Sequence, residues 1–406
     1  MLVAKPTNRT AFLRMAQIAH DRMILARYRR DYEGALSFTR KSDEWLEKLY
    51  ASGFFAGTGK MDKAEVEAAL LTYTNVANNY VRAEQFDAAL RLLQRGSDIA
   101  HSWNWQPDLG ALLYVKADVL RRRGDLDEAL NTVQESVRIW DLAKDNRNDQ
   151  GTLLNFALAL IYQGFILGED NAVSLDRPKE AVASLDRAFQ LADRLVHQDP
   201  NDSNSRERLV SGINLADILR HWDSPGALTY YDHALQHLAE IQNNARFRRA
   251  EVMALAGSTY PLRRLGRTAE ARHRLDGAFE RLSQLKLYPV ERIELGSEAD
   301  VAVRALADHE GDAGNIPHAI EIYEKLVSQI TASKPKPEDS LTDAVRLSHI
   351  YLAIAALRRR AGQPDLASAL ETRRLQLWQT WTQKLPQNAF VRRQLEGENQ
   401  PAKGKE

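Results

Sequence analysis

The chain has 406 residues, of which 44 % are hydrophobic, 27 % charged and 8 % aromatic, the proportions of a folded chain and not of a disordered or collagen-like one. Lys plus Arg and Asp plus Glu each total 55, so no field of one sign exists to hold a polyanion or a membrane surface, and a nucleic-acid partner is not expected. The absence of cysteine excludes disulfide scaffolds, thiol nucleophiles, iron–sulfur clusters and cysteine-based zinc sites. Only Met1 to Ala4 precede Lys5 and no apolar secretory core follows, so the expected setting is reducing and cytoplasmic.

In chain order, helical stretches are separated by short breaks that share one layout. The segments Glu84 to Leu90, Gly124 to Leu130, Gly266 to Ala271 and Gly362 to Ala367 each read as a helix stop, a polar turn and a restart. Gly supplies the positive φ that ends a helix, and an acidic residue sits where the next helix exposes unpaired N–H groups. The small Ala lets two helices approach closely. That layout is the turn of a helical hairpin.

The first helix before Ala89 carries Tyr73, Val76, Ala77 and Tyr80, and the second carries Ala89, Leu93 and Gly96. The next unit has Leu113, Ala117 and Leu120 followed by Ala129, Val133 and Ser136. This pattern resembles the tetratricopeptide repeat (TPR), whose first helix carries a large residue, Leu, Gly and Tyr and whose second carries Ala, an aromatic residue and Ala. The small second-helix anchor continues as Ala35, Ala89, Ala129, Ala181, Ala227, Ala271, Ala319 and Ala367, with spacings of 54, 40, 52, 46, 44, 48 and 48 residues. None equals the family's 34, so helices or loops must be longer. The resemblance implies an all-α right-handed α-solenoid, a superhelix of about eight TPR-like hairpins.

The Ala181 unit explains part of the extra length: its second helix is expected to run to Asp199-Pro200, and Gly168 to Arg177 is expected to form a surface loop. The most apolar stretch, Phe156 to Leu167, is broken by Gln163 and Gly164 and falls short of the roughly 20 residues of a membrane crossing. It is expected to be a buried helix, and no membrane partner is expected. Lys116 at an apolar position, Pro261 within a first helix and an Ala227 unit one residue short are expected to bend the array. Residues 1–332 are expected to hold repeats one to seven, 333–340 a loop or linker, 341–396 the last hairpin with a C-terminal capping helix, and 397–406 a flexible tail. The segment Arg373 to Trp381, with Leu385 to Leu395 behind it, resembles the end of the repeat region that follows the catalytic domain in certain bacterial serine/threonine protein kinases. This implies the sensor or docking half of such a kinase, or a free-standing relative, and no phosphotransfer by the chain itself.

Catalytic words are missing. No Gly-rich loop, His-Arg-Asp or Asp-Phe-Gly occurs, and His20-Asp21-Arg22 is a permutation that places no catalytic base. In Gly57-Thr58-Gly59-Lys60 the Lys is followed by Met61 and not by a magnesium-holding Ser or Thr, so a flexible inter-hairpin loop is expected there. His233 and His237 are one helical turn apart, as two metal ligands would be, but no third ligand is evident. The expectation is therefore no enzyme, no cofactor, no metal and no small-molecule substrate.

In a TPR solenoid the first helices line a concave groove, and the resemblance places Asn78, Arg82, Tyr114, Asp118, Arg121, Arg122, Phe156, Arg220, Tyr260, Arg263, Arg264, Arg359 and Arg360 there. Arg recurs at the ends of these helices, either as a cap for exposed carbonyls or as a basic rail suited to an acidic or C-terminal peptide. The carboxylate clamp of the family needs Lys and Asn in adjacent repeats. Gln17 and Asp21, Leu71 and Asn75, then Ala111 and Val115 stand there instead. The expected function is a protein-interaction scaffold, in signalling, that binds a partner segment in its groove.

Overall fold

A computed structural model describes residues 9–29, 31–55, 63–146, 149–199, 202, 204, 209–239 and 244–396. Among them stand seventeen α-helices and no strand. They pair as α1 (Arg9–Tyr28) with α2 (Tyr32–Ala51), α3 (Lys63–Arg82) with α4 (Phe86–Ser102), and α5 (Gln106–Arg123) with α6 (Leu126–Asn146). Next come α7 (Gln150–Gly168) with α8 (Pro178–Gln198), α9 (Ser211–Leu219) with α10 (Ser224–Ala239), and α11 (Ala245–Arg264) with α12 (Thr268–Gln284). The series closes with α13 (Glu298–Asp312) and α14 (Ile316–Ala332), then α15 (Leu341–Arg360) and α16 (Pro364–Lys384), and α17 (Ala389–Glu396) follows as a cap. The fold is all-α, a solenoid-type array of eight TPR-like hairpins.

All eight anchor alanines lie in second helices and are buried, seven of them completely or nearly so and Ala35 at 6 %. The reason is steric: a methyl is the largest group that lets paired helices touch at these points. Seven residues further on, two turns along the same face, six hairpins again carry a small residue: Ser42, Gly96, Ser136, Ala188, Ala234 and Ala278. Ser42 and Ser136 satisfy their buried hydroxyls on the partner helix, donating to the Ala16 and Gly110 carbonyls at 2.8 and 2.7 Å. The last hairpin breaks the rule with Arg374, which is buried, bonds Ser348 Oγ at 3.0 Å and reaches the Gln394 carbonyl at 2.7 Å.

The turns follow the expected chemistry. Gly124, Gly266 and Gly362 have φ of 90°, 72° and 73°, and Glu84 takes the same left-handed conformation at 55° without a glycine. Asp87, Asp127, Glu128, Glu270 and Asp365 fall in the first turns of the following helices, beside the positive end of the dipole. Helix α8 ends at Gln198 with Asp199 as its cap, as expected. Pro261, expected to interrupt a first helix, does not: α11 continues through it to Arg264. It stands within the last turn, where the missing N–H removes one bond and the helix is about to end anyway.

The described chain divides into two compact units. The first comprises Met1–Arg123 and Asp127–Tyr162, and the second comprises Gly124–Leu126 and Gln163–Glu406. The 333–340 segment lies inside the second unit, where the Trp381 indole donates to the Pro337 carbonyl at 2.8 Å and Lys384 pairs with Asp339 at 3.0 Å. The 169–177 segment is more than a surface loop. Its Val173 is 2 % exposed and joins Leu126, Leu341, Trp378, Trp381, Phe390 and Val391 in one apolar cluster. Arg393 and Asn388 fasten the same cluster by donating to the Ser174 and Gly124 carbonyls at 2.7 and 2.9 Å.

Helix α7 is long and apolar enough, by length and composition, to cross a membrane, which corrects the shorter stretch read from the sequence; 61 % of its most apolar window is buried within the fold. The Gly57 to Lys60 motif and the 397–406 tail lie outside the described residues.

Candidate functional site

The expected groove residues separate into two sets. In the first unit, Asp118 is the hub: it accepts from Arg121 at 2.9 and 3.1 Å and from Arg122 at 2.9 Å. Burial alone would raise the Asp118 carboxyl, but the Arg122 and Arg121 guanidiniums outweigh it and hold it below its ordinary value. Tyr114 is buried, stacks on Tyr162 with ring centroids 5.5 Å apart at 8°, and donates to Asn155 at 3.3 Å. Phe156 is 1 % exposed, which removes it from any free surface and corrects its placement in an open groove. Asn78 is half-buried and Arg82 is exposed.

The second unit brings its residues together far more closely. Two guanidiniums lie over the Tyr260 ring, Arg220 at 4.3 Å and Arg263 at 4.6 Å from its centroid. The Tyr260 hydroxyl donates to Asp308 Oδ2 at 2.7 Å, and Tyr323 donates to the other oxygen of the same carboxylate at 2.7 Å. Arg220 bonds Asp170 at 2.7 Å and Asp217 at 3.1 Å, and His221 meets Asp170 at 3.0 Å. Tyr231 donates to Asp217 in turn, and Arg304 pairs with Asp300 at 3.0 Å. One polar lattice therefore runs from the 169–177 loop across α9, α11 and α13.

The electrostatics follow from partial burial. At Asp170 burial opposes ionisation, yet Arg220 and the His221 hydrogen bond prevail and hold the carboxyl well below the usual range. At Asp217 burial wins and the pKa rises in spite of Arg220. Burial pushes His349 down to about 4 against the opposing pull of Asp170, with Arg304, Arg374 and His221 adding like charge. Arg220 is raised: burial alone would lower it, but Asp217, Tyr231 and Asp170 more than compensate. Tyr260 is raised by burial, with Asp308 acting in the same direction.

The terminal arginines are occupied. Arg360 donates to the Gly311 carbonyl at 2.6 Å and Arg264 donates to the Arg220 carbonyl, so each caps the end of a neighbouring first helix and not its own. Arg263 pairs with Asp312 at 3.0 Å and donates to the Ala305 carbonyl at 3.2 Å, and Arg359 pairs with Glu371. Arg263 and Arg359 are thus matched by carboxylates, and Arg264 and Arg360 are engaged as caps of neighbouring helices.

Sequence reasoning left Asp170, Arg304 and Asp308 out of the site. A signal for Asp308 was present, because Asn78, Asp118, Tyr260 and Asp308 each stand eleven residues before an anchor alanine. Asp170 had none, since it belongs to an inserted loop. The pairing of Asp118 with Arg121 and Arg122 was also readable, at i,i+3 and i,i+4. On the second helices, Asp193 comes beside His233 and His237, supplying the third ligand-capable group that the sequence did not reveal.

No protein-family model and no curated protein matches the sequence. Solved structures do match. A Rap protein complexed with competence and sporulation factor aligns with a TM-score of 0.52 at 10 % identity, over 93 % of this chain and 99 % of that one. What the two chains share is the fold, an all-α TPR-like helical array. Aspartyl phosphate phosphatase F from Bacillus subtilis aligns equally well, with a TM-score of 0.52 at 10 % identity, covering 93 % of this chain and 95 % of that one. At these identities the likeness concerns fold alone. The resemblance of the C-terminal segment to the kinase-associated region draws no support from these similarities.

Proposed function

We propose that the chain is a non-catalytic protein-interaction scaffold that holds an extended partner segment, in a signalling context, against the first-helix face of the second unit. The observation that carries this reading is the Arg220–Tyr260–Arg263 cluster joined through Asp308 to Tyr323, a set of polar and aromatic groups from consecutive hairpins fixed by mutual contacts. Donors and acceptors already fixed by one another lose little conformational freedom when a partner backbone bonds to them. The neighbouring Rap fold in complex with competence and sporulation factor is consistent with such a use. Each guanidinium is already matched by a carboxylate or a carbonyl, so recognition by hydrogen bonding and stacking is favoured over attraction of an acidic segment.

The test is a random-peptide display screen against the full chain, followed by titration of the selected peptide. Tyr260→Ala and Arg304→Gln are expected to weaken binding about tenfold or more, while Arg359→Gln leaves it unchanged. Raising salt should have little effect, because the charges are internally compensated. Equal affinity of wild type and Tyr260→Ala would refute this placement of the partner.

A further inference from the structure

Three ligand-capable atoms from adjacent second helices converge in the second unit, away from the polar lattice on the first helices. Asp193 on α8 and His233 and His237 on α10 present atoms that all lie within 4.8 Å of one another. The distances are 2.8 Å from His233 Nε2 to Asp193 Oδ1, 3.0 Å between the two Nε2 atoms, and 3.8 Å from His237 Nε2 to the same oxygen. The two imidazoles are stacked, with centroids 4.8 Å apart, and the buried Phe189 ring meets His233 edge-on at 5.1 Å. Their orientation is thus set by packing.

Protons serve this triangle poorly. An imidazole Nε2 carries either a proton or a lone pair, and an ionised carboxylate offers lone pairs only. If His233 donates to Asp193, it has no lone pair left for His237. If His237 donates to His233 instead, the His233 nitrogen lone pair faces the carboxylate at 2.8 Å. A cation bound by all three atoms would take up the lone pairs that no single arrangement of protons satisfies. The circle through the three atoms has a radius of about 1.9 Å, which is that of one face of a tetrahedron with metal–ligand bonds of roughly 2.0–2.1 Å.

We infer that Asp193, His233 and His237 form a binding site for a divalent transition metal of the zinc type. Two nitrogens and one oxygen at tetrahedral spacing suit zinc and do not suit calcium or magnesium, which take six or more oxygen ligands or keep several waters. The fourth position is left for water, because His197, one turn beyond Asp193, donates its Nδ1–H to the Asp193 carbonyl at 2.8 Å. The site ties the fourth hairpin to the fifth, so a bound ion clamps neighbouring repeats. It stands independently of the peptide-binding reading.

The experiment titrates the full chain, freed of metal by chelator and dialysis, with Zn²⁺ by calorimetry and with Co²⁺ by visible absorption. One equivalent of each is expected, with the intense d–d bands of a four-coordinate cobalt site. His233→Ala and Asp193→Asn are expected to weaken binding by at least about tenfold, whereas His273→Ala, at an exposed position elsewhere, leaves it unchanged. Asp193→Asn keeps the size of the side chain and gives the reading if His233→Ala fails to fold. No saturable Zn²⁺ binding, or the same binding in wild type and Asp193→Asn, overturns the assignment.

Discussion

Arg360 donates to the Gly311 carbonyl at 2.6 Å, so the last turn of one first helix is capped by the arginine that ends the first helix of the following hairpin. The C-terminal carbonyls of a helix lack intrahelical partners, and a cation there also meets the negative end of the dipole. Arg360→Gln is expected to cost roughly 0.5–1.5 kcal/mol, read as a lower urea midpoint with an unchanged slope.

Arg121 and Arg122 should behave differently from that exposed cap. Both serve Asp118, which is buried, so replacing both by Gln leaves a carboxylate in the interior without a cation. The expected cost is about 3–5 kcal/mol. A loss no larger than that of Arg360→Gln would show that Asp118 finds its compensation elsewhere.

Stability should depend on pH through His349. Its folded pKa of about 4 lies below the ordinary 6.5, so between these values the unfolded chain binds a proton that the folded chain does not. Stability therefore falls as pH drops from 6.5 towards 4 and loses nothing further from this residue below that. Asp170, whose folded pKa is depressed, contributes stability above the usual carboxylate range that disappears as pH falls below about 4. Denaturation of His349→Gln across pH 4 to 7 should lose a slope worth at most about 3 kcal/mol, and Asp170→Asn should flatten the lower limb only.

Two packing variants test the register of the hairpins. A Cβ placed on Gly164 would stand 2.5 Å from Leu185 Cγ, so Gly164→Ala sets a helix-propensity gain of about 1 kcal/mol against an overpacking cost of about 1–3 kcal/mol. The clash is expected to win, with a net fall in melting temperature. Ala129→Trp, at a completely buried anchor, should cost about 1–3 kcal/mol or more and spread only to adjoining hairpins. A melt identical to wild type for either variant would show the helices to be paired differently.

The C-terminal cap carries weight out of proportion to its length. Phe390 is 3 % exposed and meets Trp378 edge-on at 6.0 Å within the cluster that includes Val173 and Leu126. Phe390→Ala is expected to cost about 3–5 kcal/mol, read from guanidinium unfolding followed by tryptophan fluorescence. A change under about 1 kcal/mol would show that α17 is an optional cover.

The helical hairpins were legible in the sequence because their determinants are local. Ala89, Ala129, Ala271 and Ala367 each follow a turn that stops one helix and starts the next, so anchor, stop and start fall within one short window. Asp199 at the end of α8 was readable for the same reason, through the proline behind it. Tertiary structure alone decided where the insertion went: Val173 is an ordinary loop valine until Trp378 and Phe390, some two hundred residues away, supply its surroundings. The same holds for charge. Arginine at the end of a first helix is one letter whether it faces solvent or caps a neighbour, and only the approach of Asp170, Asp312 or the Gly311 carbonyl fixes which. Asp193 sits forty residues before His233 on a different helix, and nothing in the spacing within either helix brings the two together. Side-by-side packing of successive second helices does, because hydrophobic burial sets which faces meet and leaves polar side chains to find whatever partners that packing provides.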